Sequence, residues 1–181
     1  MKKALPLLFA AALAGAAAPA LAGGGTLAGT VNAGGALGYA SSTVAGSEFD
    51  LDLHGGVYVV DSVLAGGNLY VQKNDAVTAW ELSATGRFHF LDPWLTDEGG
   101  AMASFSPYVG LRLGWASGDN KVDDDTGAVL AFRLGTDFFI TDNFAVDLYV
   151  DAATSSGDVY ADKAEMKSSN VRVHLGFDLF F

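Results

Sequence analysis

The last eleven residues, VRVHLGFDLFF, place Val171, Val173, Leu175, Phe177, Leu179 and Phe181 at every second position. Arg172, His174, Gly176, Asp178 and Phe180 fall between them. That period of two is a strand with one apolar and one largely polar face. The same alternation recurs along most of the chain. It predicts strands at about Thr30–Ala40, Glu48–Val60, Val63–Gln72, Val77–Phe90, Phe105–Ala116, Ala128–Ile140 and Phe144–Ala153, with Val171–Phe181 as the eighth. Lengths near ten residues suit strands crossing a hydrocarbon layer at a tilt.

The connections alternate in kind. Asp61-Ser62 and Thr141-Asp142-Asn143 read as tight turns, and SGDNKVDDDTG and SSGDVYADKAEMKSSN as long polar loops. Two further loops on the long-loop side, about Ser41–Ser47 and Lys73–Asp75, are short, which leaves little surface for adhesion. An even strand count returns both termini to the short-turn side, expected to be the periplasm. LDPWLTDEGGAMAS (residues 91–104) is long for a turn on that side.

The N-terminus differs from everything after it. MKKALPLLFAAALAGAAAPALA has two lysines, an apolar run and a small-residue Ala20-Leu21-Ala22 ending, the pattern of a cleavable secretory signal. The expected organisation is a signal peptide over residues 1–22 and one β-barrel domain over residues 23–181. With Lys2 and Lys3 removed, 8 basic residues face 21 acidic ones, a formal charge of −13. Such an acidic surface argues against nucleic acid as a partner. Half of the residues are hydrophobic, which excludes a disordered chain. There is no cysteine, hence no disulfide framework or thiol chemistry.

Charge placement separates a membrane barrel from a soluble sandwich. The four arginines, Arg87, Arg112, Arg133 and Arg172, all fall on polar faces of predicted strands. The six lysines lie in the signal or in loops. Acidic residues share the arginine face: Glu48, Asp50, Asp52, Glu81, Asp137, Asp147, Asp151 and Asp178. His54, His89 and His174 fall there too. Arginine makes bidentate pairs with carboxylates and is weakly hydrated, so it suits a confined interior. An eight-stranded barrel is just wide enough to be filled by side chains. The sequence thus predicts an apolar exterior and an interior salt-bridge network of Asp50, Asp52, His54, Glu81, Arg87, Arg112, Arg133, Asp137, Asp147, Asp151, Arg172, His174 and Asp178. Within it, His174 is placed at the depth of Arg133 and Asp151.

Aromatic residues sort by depth. Phe88, Phe90, Phe105, Phe138, Phe144 and Phe181 fall near the short-turn rim, and Tyr39, Phe49, Trp80 and Trp115 near the other. Two belts around an apolar band are a membrane signature.

The ending HLGFDLFF carries His174, Gly176, Leu179 and Phe181 in the order polar, Gly, apolar, apolar. This resembles the C-terminal assembly signal of outer-membrane proteins. With the leader and FFITDNFAVDLYV, the chain resembles the small OmpA/OmpX-like outer-membrane β-barrels, in their barrel-only form without a peptidoglycan-binding domain. The resemblance implies an outer-membrane location and insertion by the barrel-assembly machinery through the last strand. It also implies contact with outer-membrane lipid and lipopolysaccharide, a monomer, and a structural or surface-interaction role in the envelope.

Other chemistry finds less support. A narrow porin-like channel is the alternative, because Gly34, Gly38, Gly56, Gly66, Gly110, Gly114, Gly135 and Gly176 all fall on the inward face and fill it with less side-chain volume, leaving space for a wet cavity. A lipid A-modifying hydrolase would need a serine–histidine pair facing lipid near the outer rim, and all three histidines read as inward. Asp119, Asp123, Asp124 and Asp125 form an acidic loop, but Lys121 stands where a calcium loop needs a ligand. No enzyme activity, cofactor or metal is expected.

Overall fold

The computed structural model describes residues 26–42, 46–90, 105–120, 124–162 and 165–181. The signal segment and residues 91–104 lie outside the described residues, as do Lys121, Asp123 and the side chain of Tyr39. The described residues form ten strands: β1 (Val31–Ser42), β2 (Gly46–Val60), β3 (Val63–Lys73), β4 (Val77–His89), β5 (Phe105–Asn120), β6 (Asp124–Thr141), β7 (Phe144–Ser155), β8 (Tyr160–Asp162), β9 (Glu165–Lys167) and β10 (Ser169–Phe180). Eight of them close a barrel in the order β1-β10-β7-β6-β5-β4-β3-β2, every neighbour antiparallel. The expected all-β, up-and-down architecture is therefore observed, with a small β8–β9 hairpin added between β7 and β10.

The turns follow local chemistry. At Asp61-Ser62 the chain turns with Ser62 at φ 65°, and the Asp61 carboxylate accepts a bond from the Ala28 amide at 2.9 Å. After β6, the Asn143 side chain donates to the Phe180 carbonyl at 2.8 Å, fastening that turn to the last strand. Irregular registers at Tyr58/Val60 and Phe139/Thr141 put one bulge on this rim beside each tight turn. Across the barrel, Asn74 accepts from the amides of Ala76 and Val77 and closes the β3–β4 connection.

SGDNKVDDDTG departs from the expectation of a long loop. Pairing continues through Ser117–Thr126 and Gly118–Asp125 to Asp119–Asp124. Polar composition misled here because residues 117–120 are held by backbone pairing to β4, and 117–119 to β6 as well, and that ladder needs no apolar face.

Alternation sorts the two faces as predicted. Leu37, Leu113, Phe132, Leu134, Val171 and Val173 are among the exposed apolar side chains, while Asp52, Glu81, Asp137, Asp147 and Asp178 are fully buried. Near the short-turn rim, Phe88 packs edge-on against Phe90 at 5.7 Å, and Phe105 meets Phe138 at 5.4 Å. Phe180, on the polar face in sequence, is completely buried with Phe139, Tyr58, Leu64 and Ala145. These five form an apolar floor across the short-turn end, its rings 4.9 Å (Phe139–Phe180) and 6.4 Å (Tyr58–Phe180) apart.

The inward glycines do not open a lumen. The space that a Cβ on Gly135 would take is occupied by Tyr108 and Tyr149, that of Gly38 by the Asp50 carboxylate, and that of Gly34 by Asp178 and His54. At these three positions neighbouring side chains take the volume that glycine vacates. At Gly56 the neighbour is backbone: a Cβ there would come within 2.5 Å of the Ala65 carbonyl and 2.9 Å of Gly66 Cα. Gly56→Ala should therefore force β2 and β3 apart and cost about 1–3 kcal/mol, read as a lower urea midpoint. An unchanged midpoint would show that the strands separate freely at that point.

Candidate functional site

The interior is the site, and it is built in levels because inward positions recur every second residue along each strand. Lowest, above the floor, Asp178 ties β10 to β2 and β4 across the interior. Its Oδ1 is 2.5 Å from His54 Nε2, and its Oδ2 accepts from Arg87 Nη1 at 3.0 Å. His54 Nδ1 is 3.2 Å from Asp52. Arg87 also lies 3.9 Å from Asp147, whose two oxygens accept from the Tyr108 hydroxyl at 2.9 and 3.0 Å. Asp137 sits beside Asp147 in the β6–β7 ladder, 4.0 Å from His89 Nε2.

In the middle level, Arg133 donates to Asp52 Oδ2 at 2.6 Å and to Asp151 Oδ1 at 3.3 Å. Its guanidinium lies 3.9 Å over the Tyr149 ring, which stacks on His174 at 4.7 Å and 20°. Above it, Arg112 bonds Glu81 at 2.6 Å and also donates to Asp151. Nearest the long-loop mouth, Arg172 donates to Glu48 at 2.5 Å and Asp50 at 2.9 Å.

All thirteen predicted network residues thus face inward, and each arginine bonds at least one of the predicted carboxylates. His174 stands opposite Tyr149 in the ladder, its Nδ1 3.4 Å from Asp50, and it lines the same small cavity as Asp151. The inward tyrosines, Tyr58, Tyr70, Tyr108 and Tyr149, went unread as network members. Their polar-face register was the available signal.

The long loop SSGDVYADKAEMKSSN contributes a cap that its polar composition hid. Val159 and Tyr160 turn into the mouth and bury against Tyr70, Ala116, Val129, Ala131 and Ala153, and Ala161 is buried too. Gln72 bonds both backbone groups of Ala161, at 2.8 and 3.1 Å, and the Tyr160 hydroxyl donates to Glu81 at 3.0 Å. Burial holds that hydroxyl above its ordinary pKa, with Glu81 adding to the effect, so it remains a donor. Asp125 accepts from the Asp158 amide at 2.8 Å and fastens the start of the cap. The apolar triplet Val159-Tyr160-Ala161 within a polar loop was the one visible trace. Beneath the cap lies a cavity of about 10 Å³, lined by residues including Glu81, Arg112, Tyr160, Arg172 and His174. It has room for about one water.

Two arrangements resemble reactive sites. Ser106 Oγ is 2.9 Å from His89 Nδ1, with Asp137 on the far side. However, His89 Nε2 meets the Tyr58 hydroxyl at 3.0 Å, closer than Asp137, and Ser106 is fully buried. A nucleophile needs an orienting acid and an accessible face, and this serine has neither. His54, Asp147 and Asp178 bring ligand atoms within 4.8 Å of one another. Arg87, bonded to Asp178, already sits against this group as its positive charge. The geometry suits cross-bracing of eight strands rather than turnover.

No family model matches the chain, and no curated relative matches it. Solved structures do. Neisserial surface protein A (NspA) is similar with a TM-score of 0.57 and 18% identity, over 84% of this chain and 96% of that one. The N-terminal β-barrel domain of Pseudomonas aeruginosa OprF gives 0.57 and 16% over 88% and 100%. The P. aeruginosa outer membrane protein OprG gives 0.51 and 15% over 87% and 98%. At these identities the likeness is one of fold. The chain has the closed eight-stranded fold of the small OmpA/OmpX-like outer-membrane barrels.

Proposed function

We propose that this protein is a monomeric outer-membrane barrel with a structural or surface-interaction role in the cell envelope, set in lipid and lipopolysaccharide and inserted by the barrel-assembly machinery. Short turns then face the periplasm, and the β8–β9 cap faces outward. The observation that carries the reading is the pairing of an apolar, exposed exterior with a filled, ion-paired interior. In water such an exterior would be a severe aggregation liability; in hydrocarbon it is the stable face.

The narrow-channel alternative meets an interior crossed by Arg133 and Arg112 and closed below by Phe139 and Phe180. Purified protein in a planar bilayer should show no conductance above background. Replacing residues 158–168 with a short turn should leave it non-conducting, because the network beneath the cap remains. Steady ohmic steps from the intact protein would favour the channel instead.

A further inference from the structure

The cap closes a recess built by five strands, β3 to β7. Inward positions at the long-loop end of β5, β6 and β7 are small: Ala116, Ala131 and Ala153, the last two opposite each other in the β6–β7 ladder. Tyr70 of β3 and Val129 of β6 complete its apolar lining. Glu81 of β4 stands at its polar end. The Glu81 Oε1 accepts from Arg112 at 2.6 Å, and its Oε2 accepts from the Tyr160 hydroxyl at 3.0 Å. Tyr160, itself fully buried, is thus a phenol held in an alanine-lined recess that ends on a carboxylate.

The tyrosine leaves part of the recess unused. The one-water cavity adjoins it, and Tyr70, which is 4% exposed, lines that cavity with a hydroxyl that makes no hydrogen bond. Nor does the cap belong to the wall. β8 and β9 form a two-stranded sheet of their own, tied to the barrel through Gln72, Glu81 and Asp125. A separate element held by a few polar bonds opens more readily than a barrel ladder.

The recess selects what can enter when the cap lifts. Withdrawal of Tyr160 takes away a neutral donor, so Arg112 keeps its bonds to both Glu81 and Asp151. Only Glu81 Oε2 is left without its partner. An anion would meet that carboxylate and be repelled. A plain hydrocarbon would fill the space yet leave a buried oxygen unbonded, which is costly. A ring bearing a hydroxyl satisfies both.

We propose that this recess is a binding site for small phenols, with the β8–β9 cap as its lid and Tyr160 as the resident occupant that a phenol replaces. The ring lies against Ala116, Ala131 and Ala153, and its hydroxyl donates to Glu81. The adjoining cavity has room for one further polar atom beside Tyr70. Access from the cell exterior rests on the orientation proposed above; binding by the purified protein does not.

Fluorine NMR of para-fluorophenol and fluorobenzene, added to the purified full chain in nanodiscs, tests the site. Tyr160→Ala should bind para-fluorophenol at least ~10-fold more tightly than the unmodified protein, whose own occupant must first be displaced. The same variant should bind fluorobenzene at least ~10-fold more weakly than the phenol, for want of the bond to Glu81. Adding Ala116→Leu to Tyr160→Ala should abolish binding. In the unmodified protein, saturating para-fluorophenol should speed exchange of the Ala161 amide, which Gln72 holds, by at least ~10-fold and leave the β4–β5 ladder unchanged. Equal affinity for the two probes, binding that survives Ala116→Leu, or an Ala161 amide that the phenol does not affect would overturn the site. The exchange measurement uses the unmodified chain, so it decides even where a variant folds poorly. Failure of the membrane reading would show separately, as protein missing from the outer-membrane fraction of cells.

Discussion

Arg133→Ala is expected to destabilise the folded barrel by about 3–5 kcal/mol, the loss typical of removing one partner from a buried ion pair. Arg133 joins β2 to β7 through Asp52 and Asp151, and its guanidinium covers Tyr149. Its removal leaves the fully buried Asp52 dependent on His54 and Asp151 dependent on Arg112. The cost is mostly that of uncompensated buried charge, so repairing the charge should recover much of it. Arg133→Met combined with Asp52→Asn should fall well short of the single alanine variant in its loss. Urea unfolding followed by tryptophan emission reads both. Equal stability of wild type and Arg133→Ala would mean that the interior is hydrated enough to screen its charges, and the packed-network account would fail.

The second large effect is at the chain end. Phe180 closes the floor with Phe139 and Tyr58, and its backbone bonds Asn143 in both directions through main chain and side chain. Phe181 exchanges two backbone bonds with Val31 and points outward. Deleting both residues removes the floor's central ring and the lowest rung of an already short β1–β10 ladder. The deletion variant is expected to give no folded barrel in cells. The single variants should separate two roles. Phe180→Ala should lose stability by about 3–5 kcal/mol, as for a buried phenylalanine, yet still insert. Phe181→Ala should refold normally in detergent while inserting poorly in cells, if the terminal residue is read during assembly. Normal insertion of Phe181→Ala would leave HLGFDLFF as a closing strand and nothing more.

The strands were legible because period two is written in residue chemistry. Each predicted segment lies within a few residues of an observed one, and no polar residue chosen for the interior turned out to face away from it. A closed barrel enforces this: a slip of one position would send Arg87 or Asp178 to the outside. Legibility failed in the polar connections. SGDN and DDTG extend β5 and β6, and the cap's Val159-Tyr160-Ala161 is too short to show a period. Register across the closure was also hidden. Nothing in β1 or β10 announces that pairing stops at Ala36 and Gly176, since it depends on how two distant strands meet. The glycines were read as absent volume, when the tyrosines and carboxylates that fill it come from neighbouring strands.

The most direct test of the central claim is gel mobility of the protein in isolated outer membranes, with and without boiling. A closed barrel of this kind resists detergent at room temperature, so the unboiled protein should be found in the outer-membrane fraction and migrate faster than the boiled form. Recovery in soluble periplasmic extract, with a mobility that boiling does not change, would contradict it.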